Sequence, residues 1–212
     1  MTHRDSQLTG RLRLRHLMEH TEAVGEGMDD QRDRFARLAR EDSAPRAVSS
    51  FNLFQTPESI ADRMASLIRF GRTLEPSAGL GRLYRAVRLR SDCQMTLVEI
   101  APQCCAELYR ETAGDEHAHL VQGDFLQQSP ELLGRFDSII MNPPFKQWRD
   151  IKHIEHARTF LAPGGRLVAL CAAGPRQHER LRPLATTWEE LPAGSFKGEG
   201  TGVNVALLTI DG

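Results

Sequence analysis

The sequence predicts an α/β fold built on a mostly parallel sheet, and three observations carry that reading. From Ala47 onward, short apolar runs alternate strictly with amphipathic stretches, the rhythm of repeated βα units covered on both faces. Polar and small residues arrive as each apolar run stops, as expected where ligands sit outside the carboxyl ends of parallel strands. Near the C-terminus the rhythm breaks at a Gly-rich stretch between two apolar runs, a hairpin signal that makes the last strand antiparallel at the end of the sheet.

Taken in order, Pro57 opens a helix at its first turn, where a missing N–H costs nothing, with Ile60, Met64, Leu67 and Ile68 on its apolar face. A strand over residues 72–75 leads to a helix over 82–89, a strand over 95–100 and a helix over 102–112. A strand at 119–122 follows, then a short helix near 130–133, a strand at 136–141, a helix at 150–161 and a strand at 166–171. The closing hairpin pairs 191–196 with 203–210 across Lys197–Gly202.

The 212 residues allow one domain with a modest appendage, here an α/β domain over 46–212 after a charged helical extension over 1–45. A 40% hydrophobic and 26% charged composition excludes collagenous, disordered and disulfide-scaffold classes. No apolar run approaches the roughly 20 residues of a membrane span and the start lacks an apolar signal core, so no membrane partner is expected. Cys93, Cys104, Cys105 and Cys171 form no CxxC pair, which suits a reducing cytoplasm. No metal site is expected, since His117 and His119 lack a third ligand at suitable spacing. A net charge of -1 argues against holding nucleic acid by bulk electrostatics, but not against a local basic face.

Four strand ends carry the chemistry. The first, Glu75-Pro-Ser77-Ala-Gly79-Leu-Gly81, reads as a nucleotide-binding turn or as a plain tight βα turn; Tyr84 stands where a dinucleotide fingerprint wants a small residue. The second, Glu99-Ile100, can accept two hydrogen bonds from ribose hydroxyls, and the third, Asp124-Phe125, one from an adenine amino group. A cofactor with an adenosine and no pyrophosphate fits better than NAD. The fourth end, Asn142-Pro143-Pro144-Phe145, removes two backbone donors and stiffens the turn. The Asn142 side chain and Pro143 carbonyl are two acceptors for a planar exocyclic amine, whose lone pair is otherwise delocalised. Phe145 offers a face for stacking on the base.

This set resembles the S-adenosylmethionine-dependent class I methyltransferases, specifically the amino-methylating branch with the N-P-P-F motif. Phe54-Gln-Thr56-Pro57 is similar to the F-x-T-P segment of the γ-type motif order, and residues 74–79 to the methionine and ribose loop of DNA adenine methyltransferases. Residues 150–157, 163–168 and 196–204 look like those of small methyltransferases encoded by phages, prophages and plasmids. The resemblance implies a Rossmann-like, mostly parallel seven-stranded sheet with helices on both faces and an antiparallel last strand. It implies S-adenosylmethionine as cofactor, held by Phe54, Thr56, Glu75, Ser77, Gly79, Glu99, Ile100, Asp124, Phe125 and Asn142. Asn142, Pro143 and Phe145 would serve the target amine, expected to be adenine N6 in DNA turned out of its stack. Ribosomal or transfer RNA adenine and a protein glutamine remain alternatives, as does a silent partner subunit that only binds nucleic acid. Few residues follow the sheet, so sequence specificity is expected to be low or borrowed, through a homodimer or a specificity partner at the N-terminal extension.

Lys146, Trp148, Arg149, Lys152 and Lys197 are candidate nucleic-acid contacts, the first four because they flank Asn142. His153 and His156, three apart on the following helix, read as a polar helix face or as residues that position the loop or touch nucleic acid. Residues 198–202 read as a mobile loop over substrate or a loose hairpin turn.

Overall fold

The computed structural model describes residues 54–69 and 71–212. The extension expected over 1–45 lies outside the described residues. Helix α1 (Glu58–Leu67) precedes a seven-stranded sheet. Its elements run β1 (Thr73–Pro76), α2 (Arg82–Arg88), β2 (Met95–Glu99), α3 (Pro102–Glu111), β3 (Ala118–Gln122), α4 (Pro130–Leu133) and β4 (Phe136–Met141). Then come α5 (Arg149–Ala157), β5 (Leu161–Ala172), α6 (Pro175–Arg180), β6 (Thr187–Glu190) and β7 (Val205–Asp211).

The strand order is β3-β2-β1-β4-β5-β7-β6, parallel from β3 through β5, with β7 antiparallel to both of its neighbours. The chain steps outward from β1 to β3, then returns past β1 to β4. The reversal opens a crevice between β1 and β4 at their carboxyl ends, where the loops after them diverge.

Period-two alternation divides the core in two. Leu97, Ile140, Val168, Leu170 and Leu207 pack on one face with Met64, Leu83, Val87 and Leu108 of α1 to α3. Their neighbours Val98, Ile139, Met141, Leu167, Ala169 and Leu208 pack on the other with Ile151, Ile154 and Phe160. Both faces are therefore apolar, and helices cover both. Among the described residues no helix is long and apolar enough to cross a membrane.

Three details differ from the sequence reading. The strand partnering β7 is Thr187–Glu190, not 191–196, and the Gly-rich stretch belongs to a longer connection over 191–204. Leu191 and Phe196 are apolar because they plug the core from that connection. The last strand is antiparallel as expected, but lies one place inside the edge, covered by β6. Helix α5 stops at Ala157; a 3-10 turn at Arg158–Phe160 leads straight into β5, which begins at Leu161.

Asp150 ties these parts together from a fully buried position. Its carboxylate accepts the Ile151 amide at 3.0 Å in α5, the Ala172 amide at 3.0 Å at the end of β5, and the Gln177 side-chain amide at 2.9 Å in α6. Burial raises the carboxyl's pKa, and the three donors hold it down. Asp150→Ala would leave these three donors without that acceptor, so a loss of about 2–4 kcal/mol is expected, read as a lower urea midpoint at unchanged m-value.

Candidate active site

The loop after β1 turns sharply. Ser77 and Ala78 donate their amides to the Val98 carbonyl at 2.8 and 3.0 Å, folding the loop over the end of β2. Ser77, Gly79 and Gly81 have φ of 70°, 56° and 77°. The two glycines take that left-handed region without penalty, whereas Ser77 does not.

Glu99, at the end of β2, is buried and bridges two loops: Oε2 accepts the Gly79 amide at 2.7 Å and Oε1 the Ala101 amide at 2.8 Å. Each oxygen keeps a second lone pair for a ligand donor. Glu75 is 1% exposed, and its Oε2 has no hydrogen-bond partner among the described residues. Burial and the Glu99 carboxylate push its carboxyl well above the ordinary range, against the pull of Arg85 and the Tyr84 amide. Asp124 follows β3; its Oδ1 accepts the Leu126 amide at 3.0 Å and caps the short turn Phe125–Gln127. Ile100 beside Glu99 is 56% exposed, an apolar face at the crevice edge.

The loop after β4 is fixed from an unexpected side. Asn142 Nδ2 donates at 3.1 Å to the Phe54 carbonyl and at 3.1 Å to Thr56 Oγ1. Both amide hydrogens are thereby spent, and Oδ1 is turned away from the 54–56 segment. Thr56 is 2% exposed; its hydroxyl oxygen holds Asn142 while its own proton is left to donate. Pro143 is buried, and Phe145 is partly buried against the core cluster that includes Phe196.

The structure thus brings Phe54, Thr56, Glu75, Ser77, Gly79, Glu99, Ile100, Asp124, Asn142, Pro143 and Phe145 to one end of the sheet. Phe125 departs from its expected part. Its side chain is 2% exposed within the core, ringed by His153, His156 and Phe160, so only its backbone is left to face a ligand. Lys146, Trp148, Arg149 and Lys152 are exposed just past Asn142. Lys197 is on the 191–204 connection, at the same sheet end but beyond β5.

His153 is not on a polar helix face. Asp150, His153, Ile154 and Ala157 form the buried stripe of α5, at spacings of three, four and seven that were readable as one helical side. His153 is 5% exposed, and its Nδ1 is 3.3 Å from Ser77 Oγ. Two residues escaped the sequence reading altogether. Arg176 stacks over the Trp148 ring at 3.5 Å, and Gln128 accepts from His156 Nε2 at 3.0 Å through its backbone carbonyl and donates its side-chain amide to the Asp124 carbonyl at 3.4 Å.

The methyltransferase small domain family matches residues 58–193. The chain belongs to this family. No curated protein matches it in sequence. Among solved structures it resembles the glycopeptide N-methyltransferase MtfA complexed with S-adenosylhomocysteine, at 17% identity and TM-score 0.55, over 72% of this chain and 86% of that one. It also resembles TrmN from Thermus thermophilus, at 18% identity and TM-score 0.57, over 73% of this chain and 47% of that one. The 23S rRNA methyltransferase ErmE is similar at 18% identity and TM-score 0.56, over 74% of this chain and 69% of that one. These likenesses share the fold.

Desolvation holds the His153 pKa at about 4, with Arg149 and His156 lowering it further and Asp124 opposing. The unfolded chain takes up this proton near pH 6.5, whereas the folded one waits until about pH 4, so the unfolded state binds more protons in that window. Stability should therefore fall by about 1–2 kcal/mol from pH 7 to pH 5 on this account. Denaturant midpoints at both pH values should show that difference shrinking in His153→Phe.

Proposed function

We propose that the chain methylates an exocyclic amine, adenine N6, in DNA. Asn142 carries the reading: its amide is locked so that Oδ1, beside the Pro143 carbonyl, is presented as an acceptor.

The enzyme is a methyltransferase and its cofactor is S-adenosylmethionine, whose sulfonium supplies an electrophilic methyl group when bound. The residues present fit that group. Glu75, Glu99 and Asp124 gather three carboxyls at one sheet end, and Glu75 Oε2 is buried without a donor among the described residues. Such a site favours a ligand that carries cationic centres, and S-adenosylmethionine has an ammonium as well as its sulfonium. Glu99 would take the ribose hydroxyls, Asp124 the adenine amino group, Ile100 one face of the ring, and the Ser77–Gly81 turn the methionine end.

On the target side, Asn142 Oδ1 and the Pro143 carbonyl accept the two N–H bonds of the amine. That draws the nitrogen toward a pyramidal shape and returns its lone pair for attack on the methyl carbon. With S-adenosylmethionine bound, the carbon–nitrogen bond would form as the sulfur–carbon bond breaks, and the nitrogen held by Asn142 and Pro143 would then give one proton to solvent. Phe145 supplies a stacking face for a base outside its helix, where such an amine can be reached.

Charge beside the crevice supports a polyanionic substrate. Arg63, Arg82, Arg85, Arg88, Arg166 and Arg180 are each paired with a carboxylate. Lys146, Arg149, Lys152 and Arg176 have no such pair among the described residues; Arg176 lies over the ring of half-exposed Trp148, and the other three are close to it in sequence. Uncompensated cations with an aromatic face suit a phosphate backbone and a stacked base. DNA is favoured over RNA by the F-x-T-P and E-P-S-A-G segments. RNA adenine is the second reading, favoured by the likeness to ErmE.

The test is expression in a host lacking adenine methylation, followed by nucleoside analysis of its DNA, ribosomal RNA and transfer RNA. N6-methyladenine in DNA is expected. Its appearance only in RNA would overturn the DNA reading, and no modified adenine in any pool would overturn the nucleic-acid reading.

A further inference from the structure

Ser77 is the one residue of the Ser77–Gly81 turn with both a side chain and a left-handed backbone, at φ 70°. The Val98 carbonyl pins the amides of Ser77 and Ala78, which fixes the turn's main chain. It leaves the serine side chain to be held by something else, because a β-carbon disfavours this region of φ. The partner is His153, whose Nδ1 is 3.3 Å from Ser77 Oγ. The same imidazole stands 5.8 Å from the Phe125 ring and within electrostatic reach of Asp124. Its helix, α5, begins four residues after Phe145. One buried ring therefore touches the loop after β1, faces the loop after β3, and rides on the helix that follows the Asn142 loop.

We propose that His153 is a positioning residue for the cofactor: through Ser77 it keeps the Ser77–Gly81 turn in its left-handed shape before S-adenosylmethionine arrives. In the neutral ring, Nδ1 accepts the serine hydroxyl proton and Nε2 carries the ring proton. A glycine at this point of the turn would need no such partner, having no β-carbon to strain and no side chain to fix. The inference rests on the reading that this turn holds the cofactor.

That contrast supplies the test. Calorimetric titration with S-adenosylmethionine is run on the wild type, His153→Phe, Ser77→Gly and the double variant, with circular dichroism confirming the fold of each. His153→Phe is expected to weaken cofactor binding about fivefold when Ser77 is present, the size of one net hydrogen bond, and less than about twofold in the Ser77→Gly background. His153→Asn, whose amide reaches the place of Nδ1, should recover most of the loss; if the phenylalanine variant does not fold, His153→Gln against His153→Asn gives the same comparison. Equal weakening in both backgrounds, or none in either, overturns the proposal. Glu99→Gln separates the two levels. If it lowers affinity while His153→Phe does not, the role of His153 alone is wrong, and if neither matters, the placement of the cofactor falls as well.

Discussion

An asparagine amide has two hydrogens, and in this fold both are committed. Because Asn142 donates to the Phe54 carbonyl and the Thr56 hydroxyl, its carbonyl oxygen has one orientation, set before any substrate is present. A buried side-chain amide free to flip would present a donor to the target amine as readily as an acceptor, and a donor there would repel both N–H bonds. The segment ahead of α1 is thus a fixture of the proposed target site, although it precedes the sheet by sequence and Asn142 follows the fourth strand. Pro57 reinforces it by starting α1 directly after Thr56, so that the helix anchors the segment.

The crevice that results has two electrostatic halves. On the β1 and β2 side, Glu75 and Glu99 share a buried space with Asp124 beyond them; burial and Glu99 disfavour a charge on Glu75, and among the described residues backbone amides and Arg85 oppose that effect. On the β4 side Lys146, Arg149 and Lys152 have no carboxylate partner among the described residues. A cationic cofactor and a polyanionic substrate would each find the opposite charge, and would approach a common point from opposite sides. The topological reversal between β1 and β4 makes this arrangement possible, because it parts the two loops while leaving both on one end of one sheet.

Much of this was legible in the sequence because short apolar stretches mark the parallel strands, and β1 to β4 and the later part of β5 could be placed from them. The four strand ends followed from where those runs stop. β6 was not legible: Thr187-Trp-Glu-Glu is an edge strand with a single inward apolar residue, while Leu191 and Phe196, which read as a strand, are core plugs on a loop. The start of β5 was hidden by Phe160 and Leu161, apolar residues that continue a helical pattern but serve a 3-10 turn and a strand. His153 was misread because a polar residue on a helix suggests solvent, although its spacing from Ile154 and Ala157 marked the buried side. The tie between Asn142 and Thr56 spans 86 residues, and no local pattern announces a contact of that range.

The separation of cofactor binding from target activation is the claim on which the account stands, and Asn142→Ala tests it most directly. Calorimetry with S-adenosylmethionine and a single-turnover transfer assay are run on the same preparation. Cofactor affinity should stay within about threefold of wild type while transfer falls by at least about a hundredfold, a loss of roughly 2.7 kcal/mol or more in transition-state stabilisation. Loss of cofactor binding in parallel with transfer, or transfer that survives the substitution, would contradict it.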